Sequence, residues 1–117
     1  MSEIRATTIS DTAGTGPVTL TKQSAAKAWI NFDGDNIAIR DSLNAASIVD
    51  EGTGITRINF SNAMANDDYA IQSHDHSYGN GWSDTLTTTS YKTRRRNESA
   101  GYVDVTQIWG LIHGDLA

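Results

Sequence analysis

The sequence predicts an all-β domain, a sandwich or small barrel, and three observations carry that expectation. Helical periodicity is nearly absent: residues 24–30 offer roughly two turns, and the β-branched and aromatic residues that follow favour a strand. Short strand-like runs recur along the chain, each bounded by clusters of Gly, Asn, Asp or Ser, as in sandwiches and small barrels. Apolar residues make up only 38% of the 117 positions, while Thr, Ser, Asn, Asp and Gly are plentiful. A thin core is therefore expected, with a partner chain helping to cover it. The length suits one domain.

Residues 1–24 are rich in Thr, Ser, Ala and Gly and contain the only proline, Pro17. They predict an extended arm, ordered on docking, ahead of a domain spanning 25–117. Candidate strands fall at 5–9 and 18–21 within the arm, and at 26–32, 37–42, 46–50, 55–60, 69–73, 84–91 and 102–113 beyond it. Asp33-Gly34-Asp35-Asn36 and Asp50-Glu51-Gly52-Thr53-Gly54 supply residues that tolerate positive φ, so both predict hairpin turns.

Within 26–32, Lys27, Trp29 and Asn31 alternate with Ala28, Ile30 and Phe32, which sets a tryptophan on the polar face. Trp29 is then an interface anchor, a ligand-stacking ring, or a residue packed under a neighbouring loop. The strand at 55–60 places Thr56, Ile58 and Phe60 on one face, and one side of it meets the core. In the closing strand, alternation holds through residues 102–107 and then stops. Ile108 and Ile112 fall on one face and Trp109 and Leu111 on the other, so both faces need cover. A sandwich covers one face of a strand, so Ile108, Trp109, Leu111 and Ile112 are expected to form an oligomer interface.

A net charge of −5 argues against nucleic-acid and anionic-membrane partners. Lys92-Thr93-Arg94-Arg95-Arg96 is the exception, read as a solvated loop or a strand edge that discourages pairing. No signal-peptide pattern and no long apolar run are present, so no membrane insertion is expected. Cysteine is absent, and so are the nucleophile elbow, the phosphate-cradling glycine loop and the His-Glu-x-x-His motif. The carboxylates are scattered among turns, so neither an enzyme nor a cofactor is expected.

His74-Asp75-His76 opens the run His-Asp-His-Ser-Tyr-Gly-Asn-Gly, which reads as a polar loop without a metal. The alternative is a metal site in which His74 and His76 of three copies supply six ligands around a threefold axis. The same Gly-rich segment gathers His74, His76, Tyr78, Asn80 and Trp82, a candidate receptor loop whose aromatic and amide groups suit a sugar.

Ala26-Lys27-Ala28-Trp29-Ile30-Asn31-Phe32-Asp33-Gly34, followed by Ile37-Ala38-Ile39-Arg40-Asp41-Ser42-Leu43-Asn44, resembles a domain of short fibre proteins of tailed phages, particularly marine ones. Asp50 to Gly54 leading into Ile58 through Ile71, and the ending Val105 through Asp115, are similar to that family's middle and closing strands. Ile9 through Gly16 is similar to the short arm that precedes the domain. The chain departs at Ala65, where the family often has proline, and residues 74–97 match no family pattern.

The resemblance implies an antiparallel, jelly-roll-like β-sandwich that forms a homotrimer. It also implies synthesis in the host cytoplasm, assembly on the virion surface, an arm bound to other virion proteins and a domain facing outward, where the candidate receptor loop would meet a host surface glycan. A short tail fibre or spike is the expected role. A capsid decoration protein and a lectin-like module that acts without a virion are the alternatives.

Overall fold

In the computed structural model the described residues are 25–117, together with Glu3, Arg5, Thr7 and Thr12 to Gly14. The expected strands at 5–9 and 18–21, and most of the expected arm, lie outside the described residues. The described residues form eight strands and no helix: β1 (Ala28–Asp33), β2 (Ala38–Leu43), β3 (Ala45–Gly52), β4 (Ile55–Phe60), β5 (Ala70–Asp75), β6 (Asn80–Asp84), β7 (Ser90–Arg96) and β8 (Ile108–His113). They make two four-stranded antiparallel sheets, a first ordered β2-β1-β8-β5 and a second ordered β3-β4-β7-β6, compatible with a β-sandwich.

Two-residue alternation decides which side chains meet between the sheets. Ala28, Ile30 and Phe32 of β1 and Ile108 and Ile112 of β8 point inward from the first sheet, against Ile58 and Phe60 of β4 and Tyr91 of β7. Phe60 joins the sheets to the connecting loops, its ring 5.6 Å edge-on from Tyr69 and 5.8 Å from Tyr91. Burial pushes the Tyr69 phenol up to about 12, and its hydroxyl donates to the Ser90 carbonyl at 2.9 Å.

Both expected hairpins form. Asp33 Oδ1 accepts from the backbone N–H groups of Asp35 and Asn36 at 2.9 and 3.0 Å, closing the β1–β2 turn as an Asx turn. Gly54, in the β3–β4 turn, has φ +69° and faces residue 103: an added Cβ would stand 2.7 to 2.8 Å from the Arg95 and Val103 backbone. Gly54→Ala is therefore expected to lower stability by roughly 1–3 kcal/mol, read by thermal unfolding.

Two strand assignments require correction. Residues 85–89 of the expected strand 84–91 form a connection, because Thr87 Oγ1 accepts from the Ser90 and Thr89 N–H groups at 3.0 and 3.3 Å and folds the chain back. Residues 103–107 of the expected strand 102–113 are likewise a crossover between the sheets. That crossover is fixed where Gly34 N–H donates to the Val105 carbonyl and Gly54 N–H to Asp104 Oδ1, at 2.8 and 2.7 Å.

Between β5 and β7 lies a buried ion pair. Arg95 is 1% exposed and Asp75 2%, with Nε 3.5 Å from Oδ2. Arg95 Nη2 also donates to Ser73 Oγ. Gly81 has no side chain because a Cβ there would overlap the Arg95 guanidinium. Asp75 Oδ1 accepts from the N–H groups of Ser77, Tyr78 and Gly79 at 3.1, 2.7 and 3.0 Å, so one carboxylate organises the whole β5–β6 turn.

Candidate functional site

The outer faces of the two sheets differ in kind. On the first sheet, strand register sets Leu43, Trp29, Leu111 and Gln72 in one row and Asp41, Asn31, Trp109 and His74 in the next. These rows contain no Lys, Arg or Glu, although the chain carries 23 such residues and aspartates: 9 basic and 14 acidic. Leu43 is 49% exposed and Leu111 42%, flanking the half-buried Trp29. Trp109 stacks on His74 with ring centroids 6.1 Å apart and planes 17° from parallel. At the Leu43 edge this apolar strip opens into a hollow of about 530 Å³ beside Ala26, Lys27 and Leu116.

The second sheet is ionic outside. Glu51 binds both Arg57 and Lys92 at 2.6 Å, and Arg94 binds Asp84 at 2.6 Å. The Lys92 ammonium and then the Arg57 guanidinium hold the Glu51 carboxyl below its usual range. For Asp84, burial acts to raise the pKa, and hydrogen bonds from Arg94, Thr85 and Trp82 outweigh it, so the carboxyl is lowered. Arg96 alone of these outward cations has no carboxylate partner among the described residues. Its guanidinium carbon lies 4.8 Å from the centre of the Trp82 ring and 4.9 Å from that of Tyr102.

The residues expected to form an oligomer interface separate by face. Ile108 and Ile112 are 3% and 1% exposed in the chain's own core, so they leave the expected interface. The opposite sheet is their cover, and no second copy is needed for them. Trp109 and Leu111 point outward. The expected receptor loop also divides. His74 lies on the outer face of the first sheet, His76 and Tyr78 lie in the β5–β6 turn, and Trp82 lies on the outer face of the second. These four form no single platform, because inward-facing Asp75 and Arg95 stand between the two faces. Asn80 opens β6 opposite Arg96.

His74 and His76 sit respectively on a strand face and in the following turn, and among the described residues no group of three His, Cys, Asp or Glu is placed to hold a metal. Leu43 and Tyr102 were not singled out by sequence, and Arg96 was read only within the basic run 92–96, which forms the interior strand β7 and not a loop or a sheet edge. The period-two pattern Lys92, Arg94, Arg96 was the available signal for Arg96. Comparison with protein-family models, curated proteins and solved structures returned no match.

Proposed function

We propose that this chain is a structural module of a tailed-phage virion that assembles with copies of itself as a homotrimeric short fibre or spike, its arm bound to other virion proteins. The observation that carries self-assembly is the uncharged strip Leu43, Trp29, Leu111 and Trp109 on the first sheet. Two large aliphatic side chains lie open to water beside two partly covered indoles, an arrangement characteristic of interface cores, where charge is depleted and aromatics are enriched. A second copy is the fitting occupant because the chain carries a net charge of −5 and copies repel least across a strip of uncharged side chains.

The phage assignment rests on the sequence resemblance and the homotrimer on what it implies. Four connections cross between the sheets, β2–β3, β4–β5, β5–β6 and β7–β8, in keeping with a sandwich of two sheets built from one chain. A structural role rather than catalysis agrees with the employment of the carboxylates: Asp33, Asp50, Asp75 and Asp104 cap turns, while Glu51 and Asp84 hold cations.

Light scattering across micromolar concentrations is the test. The wild type is expected at three times the chain mass, and Leu111→Asp, which buries a charge in the contact, is expected at one, with unchanged circular dichroism. A monomeric wild type, or a Leu111→Asp variant that assembles as well as the wild type, would overturn the proposal.

A further inference from the structure

A cleft of about 360 Å³ opens on the second sheet, remote from the strip proposed for assembly, and is lined by Gly81, Trp82, Arg96, Asn97 and Glu98 among others. We infer that this cleft binds a uronic-acid residue of an acidic glycan, with its carboxylate on Arg96 and its hydroxyls on Asn97 and Glu98.

The case begins with Arg96. Its neighbours Arg57, Lys92 and Arg94 are paired with Glu51 or Asp84, whereas Arg96 rests against Trp82 and Tyr102, whose rings also contact each other at 6.3 Å. Its Nη2 makes only a long bond, 3.4 Å, to the Tyr102 hydroxyl, and its Nε is buried without any acceptor. A guanidinium in contact with two rings has lost part of its rotamer freedom, and its planar fork matches a carboxylate.

Local potential agrees with that assignment. The Arg96 guanidinium and then Arg94 lower the Tyr102 phenol despite the opposing effect of burial, so the positive charge at this corner favours an anion.

The rest of the cleft selects a sugar over a bare anion. Trp82, in the cleft lining, is 37% exposed, leaving ring surface for sugar C–H groups. Glu98 accepts from hydroxyls, which a sugar carries and inorganic phosphate does not offer in the same number. Asn97 Oδ1 is already occupied by the Ser99 and Gly101 N–H groups, both at 3.0 Å, which leaves its Nδ2 to donate. Those same bonds, with Ala100 at φ +61°, fix the turn that returns Tyr102 to Arg96.

Titration of the ¹⁵N-labelled full chain with trigalacturonate tests the inference. Saturable shifts are expected at Gly79, Gly81, the Trp82 indole and Asn97, none with maltotriose, and at least about tenfold weaker binding in Arg96→Gln. Absence of saturation, shifts mapping to other residues, equal binding of maltotriose, or equal competition by inorganic phosphate would each overturn it. Mapping on the wild type requires no variant to fold. Leu111→Asp is expected to bind trigalacturonate like the wild type, so failure of the assembly proposal and failure of this one read out separately.

Discussion

Asp75→Ala is expected to cost the fold about 3–5 kcal/mol, measured as a fall in urea unfolding free energy, because it leaves the Arg95 cation buried with no counter-charge. Small domains have roughly 5–15 kcal/mol in total, so partial unfolding near room temperature would follow in a chain at the low end. Asp75→Asn separates the two duties of this carboxylate. The amide oxygen still accepts from the β5–β6 turn, so the difference between Asn and Ala reads the turn, on the order of 1–2 kcal/mol, and the remainder reads the charge. A cost below about 1 kcal/mol for Asp75→Ala would mean that Arg95 finds water or another acceptor.

The same residue sets a pH dependence. Burial acts to raise the Asp75 pKa, but the Tyr78, Gly79 and Ser77 N–H groups and Arg95 outweigh it, so the folded value lies below the ordinary one. A depressed folded pKa contributes stability that is complete above the ordinary value of about 3.9 and is lost as pH falls through the folded value. Urea midpoints measured at descending pH are expected to fall more steeply for the wild type than for Asp75→Asn. Parallel curves would refute the assignment.

Phe32→Ala is expected to cost about 3–5 kcal/mol by the same measurement. Phe32 is 1% exposed and lies on β1 between Ile39 of β2 and Ile108 of β8, where the first sheet faces β4. A core built from so few large side chains has little to move into the void, which puts the loss toward the upper end. Leu111→Ala, on the outside of the same sheet, should change stability by less than about 0.5 kcal/mol when both proteins are unfolded at concentrations low enough to leave only monomer. Similar costs for the two would contradict the division into inner and outer faces.

Strands β1 to β5 were legible because period two and turn chemistry agree there: Asp33 and Gly54 mark turns that bracket apolar alternation. From residue 76 onward these signals conflict. The β-branched Thr85, Thr87, Thr88 and Thr89 favour a strand by composition, yet the Thr87 hydroxyl captures backbone donors and makes a turn. Arg95 was unreadable for a different reason. Arginine is rarely fully buried, and its carboxylate partner lies 20 positions earlier, inside a triplet whose histidines suggested a metal. Ile108 and Ile112 were read correctly as needing cover, but sequence alone could not show that the chain's own second sheet supplies it.

The unlike outer faces give ionic strength opposite effects at two ends of the same domain. Sulfate or phosphate at high concentration strengthens apolar burial by exclusion from protein surface, so it tightens contact through Leu43 and Leu111. The same salts shorten the Debye length to about 3 Å near 1 M and screen a charge held at Arg96. Concentrated sulfate and dilute buffer would thus favour different proposed engagements of one molecule, contact between copies in the first and capture of an acidic polymer in the second.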